Sequence, residues 1–173
     1  MEALIEFGKL LLPAGAVLYA MYLTVRLFIQ REYSKSLVDI KKQNTEIVLP
    51  LRLQAYERIC LFLERINPKN IIPRVNNGQM GVQDLRQALL YEMREEFNHN
   101  LSQQVYMSDD AWMRVRNGME ELALIINEAA GNLDADAPGI ELARKVFEKV
   151  MEKDHLQVDD ALTYIKSEIQ QVF

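Results

Sequence analysis

The stretch VQDLRQALLYEMREEFNHNLSQQ, residues 82–104, decides the fold class because apolar residues recur at every fourth position. This ladder consists of Leu85, Leu89, Met93, Phe97 and Leu101. Residues four apart lie on one face of an α-helix, whereas a half-buried strand would alternate apolar and polar residues. A helix with one apolar face must bury that face against other elements. We therefore predict a core helix over residues 82–104.

Other segments after residue 50 have the same helical spacing, at residues 52–66, 108–130, 139–153 and from Val158 onward. Ser108, followed by Asp109 and Asp110, is typical of a helix start. The predicted core residues of these segments are Leu53, Tyr56, Ile59, Cys60, Leu63, Ile66, Trp112, Val115, Met119, Leu122, Ile126, Val146, Phe147, Val150, Met151, Ala161, Leu162, Ile165 and Ile169. The pattern predicts an all-α protein with a bundle of about four to five helices.

Two breaks separate these helices from their surroundings. Pro50 should kink or restart the helix that contains it. Residues 67–81, NPKNIIPRVNNGQMG, contain two prolines and two glycines, which predicts an irregular connection. This connection is long for a helical bundle, so it is a candidate contact surface.

Composition excludes several classes of protein. The chain is 49% hydrophobic and 26% charged, which is ordinary for a folded protein. The net charge of −5 argues against a nucleic-acid-binding protein, which would normally carry a basic domain or stripe. The single cysteine, Cys60, lies in an apolar run and is expected to be a buried thiol in a reducing compartment.

The N-terminal stretch LLLPAGAVLYAMYLTVRLFIQRE, residues 10–32, is uncharged from Leu10 to Val25. If Arg26 extends toward the lipid headgroups, the apolar length is about 20 residues, which matches a bilayer core. A cleavable signal peptide would need a basic start and a small-residue cleavage site, and a buried soluble helix would need a polar face. We therefore predict a single transmembrane anchor within residues 1–30. Tyr19 and Tyr22 lie near its middle and are expected to face a neighbouring transmembrane helix.

The orientation of this anchor follows from the basic residues that flank it. Lys9 is the only one before the span; those after it are Arg26, Arg31, Lys35, Lys41 and Lys42. The positive-inside rule places the N-terminus outside and the bulk of the chain in the cytoplasm. These basic residues would lie at the membrane surface, near anionic headgroups.

Residues 31–50 are predicted to continue as a juxtamembrane helix before the cytoplasmic bundle of residues 51–173. Apolar and amide residues follow three-four spacing at Leu37, Ile40, Asn44, Ile47 and Leu51. That spacing suits a short parallel coiled coil whose asparagine fixes the register. Two heptads are too few to establish a coiled coil, so the favoured interpretation is one amphipathic helix packed on its own domain.

Two Glu-x-x-His motifs raise the possibility of a di-metal site in the bundle. They are Glu96–His99 and Glu152–His155, and further carboxylates could come from Glu57, Glu64, Glu120 and Glu128. Such sites require all ligands to converge on the bundle interior. The first motif lies beside the apolar ladder, but the second points away from its own apolar stripe. Glu96 and His99 remain the candidate metal ligands, and no cofactor is expected.

The polar run NHNLSQQ interrupts the helical pattern near its end and includes Asn98, His99, Asn100, Gln103 and Gln104. It is typical of a solvated helix end. It could also form a polar network between helices or a surface for a protein partner.

Two stretches, LPLRLQAYERICLFLERINP and EFNHNLSQQVYMSDDAW, resemble an uncharacterised family of short proteins from Bacteroidota. Members of that family have an N-terminal hydrophobic segment and a helical remainder, and the resemblance covers most of the chain. It implies a bacterial inner membrane as the location, and it brings no activity, cofactor or catalytic residue with it.

No P-loop, GxGxxG, paired CxxC or GxSxG motif occurs in the sequence. The first hypothesis is therefore a non-enzymatic protein, anchored in the inner membrane, whose cytoplasmic bundle binds other proteins. It could act as a homo-oligomer or as an accessory subunit of a membrane complex. The alternatives are a metal-dependent enzyme centred on Glu96 and His99, and a lipid-proximal structural module that uses Lys35, Lys41 and Lys42.

Overall fold

The computed structural model describes the backbone of residues 1–171. It also describes the side chains of these residues, apart from those of residues 2–14, 34, 36–41 and 43–45. The described chain is helical, which confirms the all-α prediction. Its helices are α1 Glu2–Ile66, α2 Pro68–Val75, α3 Val82–Asn100, a 3₁₀ helix Leu101–Tyr106, α4 Asp109–Gly131, α5 Gly139–Met151 and α6 Gln157–Gln170. The chain divides into two compact units, Met1–Leu49 and Pro50–Phe173.

The second unit is a helical bundle in which α4 is the central element, packed against α3, α5 and α6. The C-terminal part of α1 contributes Tyr56, Ile59 and Phe62 to the core, all of them at most 2% exposed. Small residues on α4 permit a close approach to α6: a methyl group added at Gly118 would lie 3.0 Å from the Cα of Val158. Close packing of helices around α4 therefore depends on residue size as well as on hydrophobicity.

The predicted start of α4 is confirmed. Ser108 has an extended backbone, and its hydroxyl accepts a hydrogen bond from the Ala111 amide. Asp109 and Asp110 occupy the first turn, where negative charge favours the helix dipole.

The predicted irregular connection at residues 67–81 is wrong in its first half, because α2 forms there. The Asn67 side chain accepts a hydrogen bond from the Lys69 amide, and Pro68 stands at the first helical position. Proline is tolerated at that position because its missing N–H would have no partner within the helix. Only residues 76–81 connect α2 to α3, and Gly78 is there in the left-handed region with φ 79°.

Three predicted core positions are corrected by their exposure. Leu101 is 43% exposed because α3 ends at Asn100 and the following 3₁₀ helix changes the period from 3.6 to 3 residues per turn. Met151 is 84% exposed at the last residue of α5, whereas Leu142 and Ala143, which the pattern missed, are buried. Leu53 is also exposed, at 36%.

The helix does not restart at Pro50, because α1 runs through it; the alternative, a kink at Pro50, stays a prediction. The residues that follow Pro50 (Leu51, Arg52, Leu53, Gln54 and Ala55) are good helix formers, and they favour helix despite the hydrogen bond that proline removes and the clash of its ring. The coiled-coil prediction rests partly on Leu37, Ile40 and Asn44, which lie outside the described side chains.

In the N-terminal unit, the large apolar side chains between residues 17 and 29 are exposed. Examples are Leu18 and Phe28, each 67% exposed. Among the residues whose side chains are described, no helix is both long and apolar enough to cross a membrane. Leu10 to Ala14, which supply part of the predicted span, lie outside that set.

Candidate functional site

The first candidate metal ligand, Glu96, is held in an ion pair instead. Its carboxylate lies 2.6 Å from the guanidinium of Arg65 on α1. His99 is exposed, and its Nδ1 lies 2.8 Å from the carbonyl oxygen of Glu95, one turn back on α3. Within the described part of the chain, no group of three or more His, Cys, Asp or Glu side chains is placed to hold a metal ion.

The other carboxylates and histidine of the di-metal hypothesis also lie on the surface. Glu152 and His155 are exposed. Glu128 pairs with Lys149 at 2.9 Å, and that hydrogen bond lowers the pKa of the Glu128 carboxyl. These side chains do not converge on one point, so the geometry gives the metal hypothesis no support.

The polar run at the end of α3 is divided between surface and interior. Asn98, His99 and Gln104 are exposed, and Gln103 is half-buried. Asn100 is only 7% exposed, and its Nδ2 donates to the carbonyl of Glu96 at 2.8 Å. Asn100 therefore stabilises the helix end and is unavailable to a partner.

The residues predicted to lie in or near the membrane are exposed where they are described. Tyr19 is 65% exposed and Tyr22 59% exposed. The basic residues Arg26, Arg31 and Lys35 are exposed as well. Lys42 is exposed too, whereas Lys41 lies outside the described side chains.

A polar network that the sequence did not predict joins α1 to the C-terminal helix. The Tyr56 hydroxyl donates to the Glu168 carboxylate, which also accepts from the Ser108 hydroxyl at 2.7 Å. Arg52 donates from Nη2 to the Tyr56 hydroxyl at 3.3 Å and from Nε to the Tyr106 carbonyl at 3.1 Å. The network thus connects α1, the end of the 3₁₀ helix, the first residue before α4, and α6.

The surroundings of this network shift the pKa values of Tyr56 and Glu168 in opposite directions. Burial, reinforced by the hydrogen bond to Glu168, raises the pKa of the Tyr56 hydroxyl. Burial alone would raise the pKa of Glu168, but the hydrogen bonds from Tyr56 and Ser108 outweigh it and lower that pKa. The network is therefore complete when Glu168 is ionised and Tyr56 is neutral. We interpret it as a structural connection, because its groups are bonded to one another and leave no free nucleophile.

An open groove of about 440 Å³ lies between the end of α1, the end of α2 and one face of α3. We call it the α2–α3 groove. Its lining residues are Arg65, Arg74, Val75, Met80, Ala88, Tyr91 and Glu92. It includes the segment after Asn67 that the sequence singled out as a contact surface, although that segment is partly helical.

One wall of the groove is fixed by backbone hydrogen bonds to the start of α5. The Gly139 amide donates to the carbonyl of Met80 at 2.8 Å, and the Val82 amide donates to the carbonyl of Ala137 at 3.0 Å. A methyl group added at Gly139 would lie only 2.7 Å from the Met80 oxygen. Glycine therefore permits the close approach that holds Met80 in the groove wall.

Comparison with family models gives one result. A model described as a family of unknown function, DUF7935, matches residues 2–172. The chain belongs to this family. The match confirms the resemblance to an uncharacterised family, while the bacterial group and the membrane anchor stay predictions. Comparison with curated proteins and with solved structures finds no match.

The sequence signals for the groove were weak. Arg65, Arg74 and Tyr91 are residue types that are common on helix surfaces, and they come together only because α1, α2 and α3 meet at one end of the bundle. The composition of residues 67–81 was the only indication.

Proposed function

We propose that this DUF7935 protein is a non-enzymatic, membrane-anchored interaction protein, with its anchor within residues 1–30 and the Pro50–Phe173 bundle as the binding module. What supports the anchor is the exposure of large apolar side chains on every side of α1 between residues 17 and 29. These side chains are Val17, Leu18, Tyr19, Met21, Tyr22, Leu23, Val25, Leu27, Phe28 and Ile29. A helix that is apolar all round must be covered by lipid or by other helices.

The length of the apolar segment favours lipid as that cover. From Leu10 to Ile29 the only charged residue is Arg26, whose long side chain can reach the headgroup region. The segment has about the 20 residues that a bilayer core requires. Tyr19 and Tyr22 lie too near its middle for an interfacial position, so we propose that they contact a neighbouring transmembrane helix.

Two observations support a binding role for the bundle. Two carboxylates that could carry chemistry make structural contacts, since Glu96 pairs with Arg65 and Glu168 accepts a hydrogen bond from Tyr56. The α2–α3 groove offers an open, partly apolar surface instead. A bundle held close to a membrane with such a surface is suited to recruiting another protein or to serving as an accessory subunit.

The anchor is tested by placing arginines in the middle of the apolar segment. The full chain should stay with bacterial membranes after alkaline carbonate extraction. The double variant Leu18→Arg, Met21→Arg should move to the soluble fraction, because each arginine near a span centre costs about 2.5–3.5 kcal/mol.

Ile47→Arg is the matched control, since Ile47 and Leu18 are both 67% exposed on the same helix. This control should stay membrane-bound. Release of the unmodified chain by carbonate, or equal retention of the double variant and the control, would contradict the anchor.

The orientation has its own test. A C-terminal fluorescent-protein fusion should be bright and a C-terminal alkaline phosphatase fusion inactive, because the basic residues follow the span. The opposite pair of results would place the bundle outside the cytoplasm.

A further inference from the structure

The α2–α3 groove has the size of a binding site but the shape of a surface channel. Its volume of about 440 Å³ falls within the range of roughly 300–1,000 Å³ typical of ligand sites. Being open, it cannot enclose most of the surface of a small molecule, as small-molecule sites do. An extended peptide needs only some of its side chains to enter a groove, so an open channel suits it better.

The charge of the groove differs from that of the chain as a whole. The chain carries a net charge of −5, whereas the groove is lined by two arginines, Arg65 and Arg74, and one acid, Glu92. Because Glu96 neutralises Arg65, the positive charge that a ligand would meet in the groove is that of Arg74, and it favours an anionic group at that place.

The two arginines are not equally available. Arg65 is paired with Glu96 at 2.6 Å. Among the described side chains, the charged partner of Arg74 is Glu92 at 3.7 Å, which is longer than a hydrogen bond, and the Arg74 side chain is 34% exposed. Arg74 therefore presents guanidinium N–H donors to the groove, and a carboxylate is the group that those donors bind best.

The rest of the lining is suited to an aliphatic or aromatic neighbour of that carboxylate. Val75, Met80 and Ala88 provide apolar surface. Tyr91 lies beside them and is 62% exposed. Methionine adapts to differently shaped apolar groups, and an exposed tyrosine supplies rigid contact area at low entropic cost.

We propose that the α2–α3 groove binds an extended segment of a partner protein in which a carboxylate stands next to a large apolar side chain. Arg74 holds the carboxylate, and the surface of Val75, Met80 and Ala88 takes the apolar side chain. The proposal rests on the binding role given to the bundle above. The carboxylate can come from an Asp or Glu side chain or from a chain terminus.

The test is selection from random dodecapeptide display libraries on the full chain in mild detergent micelles. One library ends in a free C-terminus and the other in a fixed, neutral extension, which distinguishes a terminal from a side-chain carboxylate. The expected result is enrichment of peptides with a carboxylate within two positions of a Leu, Ile, Met or Phe. Selected peptides are then synthesised and their affinity is measured by fluorescence anisotropy.

Two variants examine the groove itself. Arg74→Gln should weaken the selected peptides about tenfold, the loss expected for one charge-assisted hydrogen bond. Ala88→Leu keeps every charge and the helix propensity but fills the groove, and it should weaken the same peptides.

The matched control is Arg116→Gln, because Arg116 pairs with Glu120 on α4 at the same 3.7 Å and lies outside the groove. It should leave affinity unchanged. The proposal is overturned if no such peptides are enriched, if basic peptides are enriched instead, or if Arg74→Gln and Arg116→Gln have equal effects. These measurements are made in detergent, so a failure of the membrane anchor leaves their outcome unaffected.

Discussion

Replacing Gly139 with alanine tests whether the backbone contact between the α3 start and the α5 start holds the groove wall in place. The new methyl carbon would lie 2.7 Å from the Met80 carbonyl oxygen, 3.3 Å from a Leu85 methyl and 3.4 Å from the Gly81 carbonyl oxygen. Because the first two neighbours are a backbone atom and a fully buried side chain, the clash is relieved only by moving the backbone segments apart.

The expected cost follows from that geometry. The Met80 oxygen is roughly 0.7 Å closer than ordinary contact at 3.4 Å. Overpacking of this kind costs about 1–3 kcal/mol. Separation also weakens the 2.8 Å hydrogen bond from the Gly139 amide, a further loss of about 0.5–1.5 kcal/mol. Alanine stabilises the protein by about 0.4–1 kcal/mol because it restricts the unfolded chain. The net loss of stability is therefore about 0.5–4 kcal/mol.

Gly131→Ala is the matched control, since nothing lies within 4 Å of a methyl group added at Gly131 in the last turn of α4. It should raise the free energy of unfolding by about 0.4–1 kcal/mol. The same chemical change should therefore have opposite signs at the two glycines.

The assay is urea unfolding of the full chain in mild detergent, followed by tryptophan fluorescence and by circular dichroism. Trp112 is the only tryptophan, and it stacks on Phe97 at 5.3 Å between ring centroids, so its fluorescence reports the bundle alone. The Gly139 variant should also bind groove peptides more weakly, because Met80 moves. If Gly139→Ala is as stable as the unmodified chain, the close approach does not exist and the groove wall is not fixed as described.

Three further predictions concern the polar network and the metal hypothesis. Tyr56→Phe should lower the free energy of unfolding by about 1 kcal/mol. Because the pKa of Glu168 is lower in the folded state than in the unfolded state, the stability that Glu168 contributes should be present above about pH 5 and fall as the pH drops below about 4. Glu168→Gln should flatten this decline. Ser108→Ala should cost about 1–2 kcal/mol through loss of the helix cap, whereas Ser102→Ala, at an exposed position, should change stability by less than about 0.5 kcal/mol; equal effects would contradict the capping role. His99→Ala should leave both stability and the metal content of the purified protein unchanged, and stoichiometric iron or manganese that disappears in this variant would refute the non-enzymatic proposal.

The helix predictions that were correct rest on signals between residues close to one another in the sequence. The period of the ladder from Leu85 to Phe97 and the cap at Ser108 both arise from residues within a few positions of one another. Such features depend on helix geometry alone, so a single sequence contains them. The ladder prediction failed at Leu101, where the chain changes from an α-helix to a 3₁₀ helix, a change that the spacing of apolar residues does not reveal.

The candidate site was scarcely predictable. Glu96 and His99 fitted a metal motif in sequence, but the proximity of Arg65 makes Glu96 an ion-pair partner. Conversely, Arg74 and Tyr91 carried no motif at all. Local spacing determines which residues share a helix face, whereas long-range packing determines which faces meet.

The sequence by itself determined that this protein is helical, that α4 begins after Ser108, and that residues 10–29 are too apolar for an ordinary surface helix. Only the tertiary structure decided that residues 68–75 form a helix, that Tyr56 and Glu168 are bonded across more than a hundred residues, and that Arg74 lies in a groove. The physical reason is that helix propensity and capping act over one or two turns. Ion pairs, close glycine contacts and grooves instead require segments distant in sequence to pack within a few ångströms of one another.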